Sequence, residues 1–272
     1  MRHYRLALSV AALVSTVALA GIAQAASVAA KPARTLRDIH DCMAKNLTKK
    51  GALRDLSATV TDREGKSRKL RMRLFWKPTK GGSHRINLRL TEPAPVAGSS
   101  YLLLVHGSKE DVWFSLPATD KPLHVTGKNM SEPLWGTDFS YGEIKQVLGL
   151  VATGDVSLKA DTQVAGRPAY VLESEGGADE TGYQKVTSYV DRQSCTLLKS
   201  EFHEKAGGPP RKVLEADVST LLQADVYWAM LGYTMKDLAQ GTQTKLELTD
   251  LSFDERLPES LFTPEHFFEP YR

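Results

Sequence analysis

The chain has 272 residues, with 35 Lys and Arg against 32 Asp and Glu, a length that suits one large domain or two modest ones. The near balance of charge excludes the concentrated basic field of a nucleic-acid binder. After the first 25 residues no run approaches the roughly 18 apolar residues of a membrane-spanning helix, and the two cysteines do not form a Cys-x-x-Cys, which disfavours a redox enzyme.

The chain opens with a positive n-region (Arg2, Arg5), an apolar stretch from Leu6 to Ala23 and the small-x-small triplet Ala23-Gln24-Ala25. This is the pattern of a secretory signal peptide, residues 1–25, cut after Ala25. No cysteine follows the cut closely, so the mature chain is expected to be soluble rather than lipid-anchored, and the Ala-rich flank suits a bacterial periplasm. Loss of Arg2 and Arg5 takes the formal net charge from +3 to +1. Residues 26–34, small and with Pro32, read as a flexible leader. Thr35 then resembles a helix cap, with Leu36, Ile39, Met43 and Leu47 forming one apolar stripe behind it. Residues 35–272 carry no evident linker or repeat and read as a single domain.

Cys42 and Cys195 either pair, as two cysteines in an oxidising compartment often do, or remain buried inert thiols. A pair would tie the first helix to a central strand across a long loop, contributing on the order of 4–5 kcal/mol.

Most of the chain beyond this helix is strand. Leu70, Met72, Leu74 and Trp76 alternate with Lys69, Arg71 and Arg73. After a Lys80-Gly81-Gly82 turn, Ile86, Leu88 and Leu90 alternate with Arg85, Asn87 and Arg89. This predicts an antiparallel hairpin, apolar on one face and wet on the other. The unbroken apolar run Tyr101–Val105 predicts a strand covered on both faces. Val112–Leu116 and a short piece around His124 complete the first half. In the second half Val156–Val164, Ala169–Glu173, Val186–Val190, Leu197–Phe202 and Val213–Val218 read as strands, with turns at 164–167 and 191–194. Asp225–Met230, Met235–Leu238 and Thr244–Leu251 are read as three more, and the tail from Leu257 to Phe268 as a loop closing the end. Thirteen stretches have strand character, and the fold is expected to hold roughly ten or eleven strands with about two helices.

Between the halves lies Leu134-Trp135-Gly136-Thr137-Asp138-Phe139-Ser140-Tyr141. Ser140-x-x-Glu143 has capping-box spacing, followed at helical intervals by Ile144, Val147, Leu148 and Val151. The stretch reads as a corner where sheet becomes helix. Gly136 permits the bend, Asp138 and Ser140 hold the helix start, and Trp135, Phe139 and Tyr141 seat the helix as a lid.

No catalytic constellation stands out: there is no Gly-x-Ser-x-Gly, His-Glu-x-x-His or phosphate-binding Gly-rich loop. His106, His124 and His266 are isolated, His203-Glu204 lacks a second histidine, and Asp179-Glu180 sits in a Gly-rich loop. The expectation is a non-enzyme without metal or cofactor. The informative feature is the apolar face. A sheet of this size exposes more of it than two helices cover, leaving a trough lined by Met72, Leu74, Trp76, Ile86, Leu88, Leu90, Leu102, Leu104 and Trp113. These residues are either a lipid-binding cavity or ordinary core.

The mature chain resembles the LolA-like outer-membrane lipoprotein-sorting proteins. The likeness rests on Leu74-Phe75-Trp76, Glu92-Pro93-Ala94-Pro95-Val96-Ala97-Gly98-Ser99, Val112-Trp113-Phe114-Ser115-Leu116-Pro117-Ala118, Trp135 to Tyr141, Gly166-Arg167-Pro168 and Leu257-Pro258-Glu259-Ser260-Leu261-Phe262-Thr263, with Asp41-Cys42-Met43 at the start. It departs at Lys121-Pro122-Leu123-His124, where relatives are more basic, and at Gly142, where they carry an acid. The resemblance implies an unclosed, strongly curved antiparallel β half-barrel with helices over its open side. It also implies a monomeric periplasmic carrier of lipid or acylated cargo, served by an inner-membrane exporter of the RND/MMPL type and an outer-membrane acceptor. A non-catalytic interaction or accessory subunit of an export or stress-sensing system is the alternative.

Overall fold

The computed structural model describes residues 34–79, 83–107, 109–119, 121–150, 155–175, 182–224, 227–254 and 256–271. The expected signal peptide, most of the leader, the turn at 80–82, Val151, the Asp179-Glu180 loop and Asp225 lie outside the described residues.

One α-helix occurs among the described residues, α1 (Leu36–Lys45). Thr35 caps it as expected: its hydroxyl accepts the Asp38 N–H while the Asp38 carboxylate accepts the Thr35 N–H. Fifteen strands succeed it: β1 (Ala52–Thr61), β2 (Ser67–Pro78), β3 (His84–Glu92), β4 (Ser100–His106), β5 (Lys109–Ser115), β6 (Leu123–Val125), β7 (Val156–Val164), β8 (Arg167–Glu175), β9 (Lys185–Asp191), β10 (Leu197–His203), β11 (Lys212–Ala216), β12 (Leu221–Ala224), β13 (Tyr227–Met230), β14 (Gly232–Asp237) and β15 (Thr242–Phe253). Thirteen of them form one antiparallel sheet in the order β6-β5-β4-β3-β2-β1-β15-β14-β11-β10-β9-β8-β7, with β12 and β13 a separate hairpin. The sheet does not close: β6 and β7 are its two edges.

The fold is thus mainly β and unclosed, as expected, with more strands and fewer helices. β1 is not among the expected strands. Its inward set Ala52, Leu56 and Ala58 is buried, yet two alanines weaken the apolar alternation that would announce a strand. The region read as three strands holds four, because Gly232 ends one hairpin and opens the next strand.

Lateral register decides the faces, since residues paired across an antiparallel ladder point the same way. Leu74, Leu88, Tyr101 and Phe114 form one row across β2 to β5 and belong to the main core. Phe75, Asn87, Leu102 and Trp113 form the next row, on the opposite face. There the C-terminal segment covers them through Leu257, Leu261, Phe262 and Phe267. The Asn87 side chain donates to Leu261 O at 2.8 Å and Phe267 O at 2.7 Å, and Arg89 also donates to Phe267 O. Part of the hairpin face expected to be wet is therefore dry, and the tail is the reason.

α1 uses Ile39 and Met43 to pack on Tyr170, Leu172 and Val190 in a third cluster. Cys42 is bonded to Cys195, with their Cα atoms 5.8 Å apart. Cys195 lies in the turn after β9 rather than in a strand. Just beyond the helix, the Asn46 side chain donates to Ser194 O and accepts the Trp228 N–H, joining that turn to the β12–β13 hairpin.

Candidate functional site

The inner face of the sheet is one continuous apolar cluster drawn from β1 to β6, β8 to β11 and β13 to β15. Of the nine trough candidates, Met72, Leu74, Trp76, Ile86, Leu88 and Leu90 lie in it. Leu102, Leu104 and Trp113 do not, and belong to the outer cluster beneath the C-terminal segment. The run Tyr101–Val105 is indeed covered on both faces, but by two different covers. Ile86, Leu88 and Leu90 are no more than 1% exposed, so the inner residues are packed in this conformation. Two polar clefts of about 440 and 480 Å³ lie elsewhere, one along the C-terminal segment near Arg256 and His266, the other beside Lys159 and Glu173.

What covers the inner face is mostly irregular chain. Met130, Leu134, Phe139, Ile144 and Val147 from the β6–β7 connection insert into the cluster, and Met230 of β13 joins them. The corner motif stands at the centre of this cover. Trp135 (φ 52°) and Gly136 (φ 65°) both take left-handed backbone angles, which reverse the chain so that Leu134 N–H reaches Phe139 O at 2.8 Å. The Arg68 guanidinium, from β2, donates to the carbonyls of Trp135 and Gly136. Phe139 is buried, and Tyr141 sits edge-on to Phe114 at 5.1 Å while its carbonyl accepts the Tyr101 hydroxyl.

The capping box is present as hydrogen bonds. The Ser140 N–H donates to Glu143 Oε2 at 2.8 Å, and the Glu143 N–H to Ser140 Oγ at 3.3 Å. The helix expected after it is only a five-residue 3-10 turn, Ile144–Leu148, ended by Gly149 in the left-handed region at φ 80°. Glu143, besides its part in the cap, is held by distant groups. Lys212 Nζ lies 3.0 Å from Glu143 Oε2, and the Tyr183 hydroxyl donates to Oε1 at 2.6 Å. Burial, and then the Glu143 charge, raise the Tyr183 phenol far above its ordinary value, so it stays a donor. Lys212 also donates to Asp138 O, while both Asp138 carboxylate oxygens accept hydroxyls, from Thr242 and from Thr244. A buried polar network thus fastens the cover to β11 and β15, and Arg68 fastens it to β2.

Asp138 and Ser140 stand out in the sequence; Lys212, Tyr183, Thr242, Thr244 and Arg68 do not. One signal exists for Lys212. It shares inward parity with Leu214 of β11, and a lysine in an apolar position implies a buried partner.

Among the described residues no helix is long and apolar enough to cross a membrane. A family model described as an uncharacterized protein-like family matches residues 82–267, and no curated protein matches the chain. Solved structures do. A domain assigned to outer membrane lipoprotein sorting from Vibrio parahaemolyticus is 22% identical, with a TM-score of 0.73 over 84% of this chain and 96% of its own. A DUF1329 family protein from Desulfovibrio piger is 20% identical, with a TM-score of 0.71 over 83% and 95%. A LolA superfamily protein from Nitrosomonas europaea is 20% identical, with a TM-score of 0.64 over 85% and 98%. The chain belongs to the family that the model spanning 82–267 defines, and its fold is that of the LolA-like lipoprotein-sorting proteins.

Proposed function

We propose that this is a non-catalytic periplasmic carrier or chaperone that holds a lipid or lipid-modified cargo against the inner face of its sheet. It would pass the cargo between an inner-membrane exporter, of the RND/MMPL type, and an outer-membrane acceptor, acting as a monomer after loss of its signal peptide. One observation supports this reading above the others. An unclosed thirteen-stranded sheet has a continuous apolar inner face covered by irregular chain and a hairpin rather than by a second sheet. A cover fastened at a few polar points can lift as a unit, and each acyl methylene that replaces it contributes about 0.8 kcal/mol.

The test is mass spectrometry of gently purified protein, together with Leu88→Glu. Bound lipid in the wild type and its loss in the variant support the carrier reading. Absence of lipid, with function intact in Leu88→Glu, overturns it.

A second reading is favoured by the dense packing of Ile86, Leu88 and Leu90. On it, the same fold serves as an interaction module and binds a protein through an outer surface. Val96, Leu116 and Leu123, 37%, 39% and 56% exposed, are the apolar residues it would use. Crosslinking in cells through Leu123 that captures a defined partner would favour it over the carrier.

A further inference from the structure

Arg54 is the residue the packing of the inner face does not explain. In the β1–β2 ladder Ala52 pairs with Trp76, Arg54 with Leu74 and Leu56 with Met72. All five of Arg54's companions in that set are buried members of the inner cluster, so its side chain leaves the strand on the apolar side. Its neighbour Asp55 points outward and is taken by Arg73, Oδ1 to Nε at 2.7 Å. The inward acids are committed as well, Glu143 to Lys212 and Tyr183, Asp138 to Thr242 and Thr244. Arg54 has no hydrogen-bond or ion-pair partner among the described residues, and burial alone pulls its guanidinium below the ordinary arginine value. A partly buried cation without a partner is disfavoured unless something supplies the anion.

We propose that Arg54 is the head-group site of the inner face, binding the carboxylate or phosphate of an anionic acyl amphiphile whose chain lies along Leu74, Leu88 and Met72. The inference rests on the carrier reading and narrows it to anionic ligands. The guanidinium fork matches both anions, which each accept two parallel N–H donors. Arg54 also lies near the start of β1, two residues from Ala52, whose ladder partner Trp76 donates through Nε1 to Thr48 O.

Three probes of equal chain length separate the possibilities: laurate, dodecyl phosphate and dodecanol, each titrated into the purified protein and into Arg54→Leu and Arg54→Lys. The expected result is wild-type binding of one or both anions at least about tenfold tighter than dodecanol, the scale of a charge-assisted hydrogen bond. Arg54→Leu should lose that preference while still binding dodecanol, and Arg54→Lys should keep part of it. Laurate alone bound tightly identifies a carboxylate site, dodecyl phosphate alone a phosphate site. Equal binding of all three probes, unchanged in Arg54→Leu, overturns the head-group site and leaves the carrier reading standing. Binding of none overturns both.

Discussion

Glu143 and Lys212, 69 positions apart, meet as a buried ion pair 3.0 Å from Oε2 to Nζ, at the point where the cover of the inner face meets β11. Removing one partner leaves the other charged and buried, a loss of roughly 3–5 kcal/mol. Lys212→Met should therefore lower the melting temperature by about 10 °C, at 2–4 °C per kcal/mol for a domain of this size. Glu143→Gln in the same chain should recover part of that loss. A double mutant no better than Lys212→Met would show that the pair is not the unit.

Gly136 offers a second test of the same cover. Its φ is 65°, and a Cβ there would sit 3.0 Å from the Arg68 guanidinium that grips the corner. Gly136→Ala should cost about 1–2 kcal/mol, read by chemical denaturation, and should raise proteolysis between residues 126 and 150 before it affects the sheet.

The C-terminal segment depends on Asn87. Asn87→Ala removes the hydrogen bonds to Leu261 O and Phe267 O, taking the Asn87 donor from the first and leaving the second to Arg89 alone, a loss of about 1–3 kcal/mol. Limited proteolysis should then cut after Asp254 in the variant and not in the wild type.

Reduction of the Cys42–Cys195 bond, which spans 153 residues, should lower stability by about 4–5 kcal/mol. Hydrogen exchange at the Trp228 amide, held by Asn46, should rise more than exchange within β1 and β2. A uniform rise would mean that the helix end does not secure the hairpin.

Acid stability should turn on Asp191 and Asp237. Burial pushes each carboxyl up, but hydrogen bonds from Arg167 and Ser194 to the first, and from Arg211 to the second, leave both below the ordinary 3.8. The unfolded chain therefore takes up these protons first as pH falls. Stability is fully present above about pH 4 and declines below it. Asp191→Asn should be less stable at neutral pH and show a shallower acid slope in urea titrations at stepped pH.

The hairpin of β2 and β3 is legible in the sequence because Leu70, Met72 and Leu74 alternate with Arg71 and Arg73, and Ile86, Leu88 and Leu90 with Asn87 and Arg89, and the Thr35 cap because Asp38 stands three residues on. Local chemistry of that kind survives folding. What misleads is chemistry completed from far away. Leu102 and Trp113 are as apolar as Leu103, and only the lateral register with Asn87 assigns them to the outer face. Ser140 and Glu143 have helix-start spacing, yet Glu143 answers to Tyr183 and Lys212, 40 and 69 residues distant. Arg54 is hidden for the same reason: beside Asp55 it looks like half of a surface pair, until Asp55 turns to Arg73.

The placement of β1 against β15 bears on how the molecule assembles. Thr249 donates to Asp55 O across 194 positions, in the middle of the sheet rather than at an edge. Each flank, β2 to β6 and β7 to β11, is made of neighbours in sequence and can zip locally, but the seam joining the flanks waits for the most distant strands to find each other. Contacts of such long range slow folding. The half-finished molecule would hold two curved flanks with their apolar faces open, so the last event in folding is also the one that hides the inner surface from water.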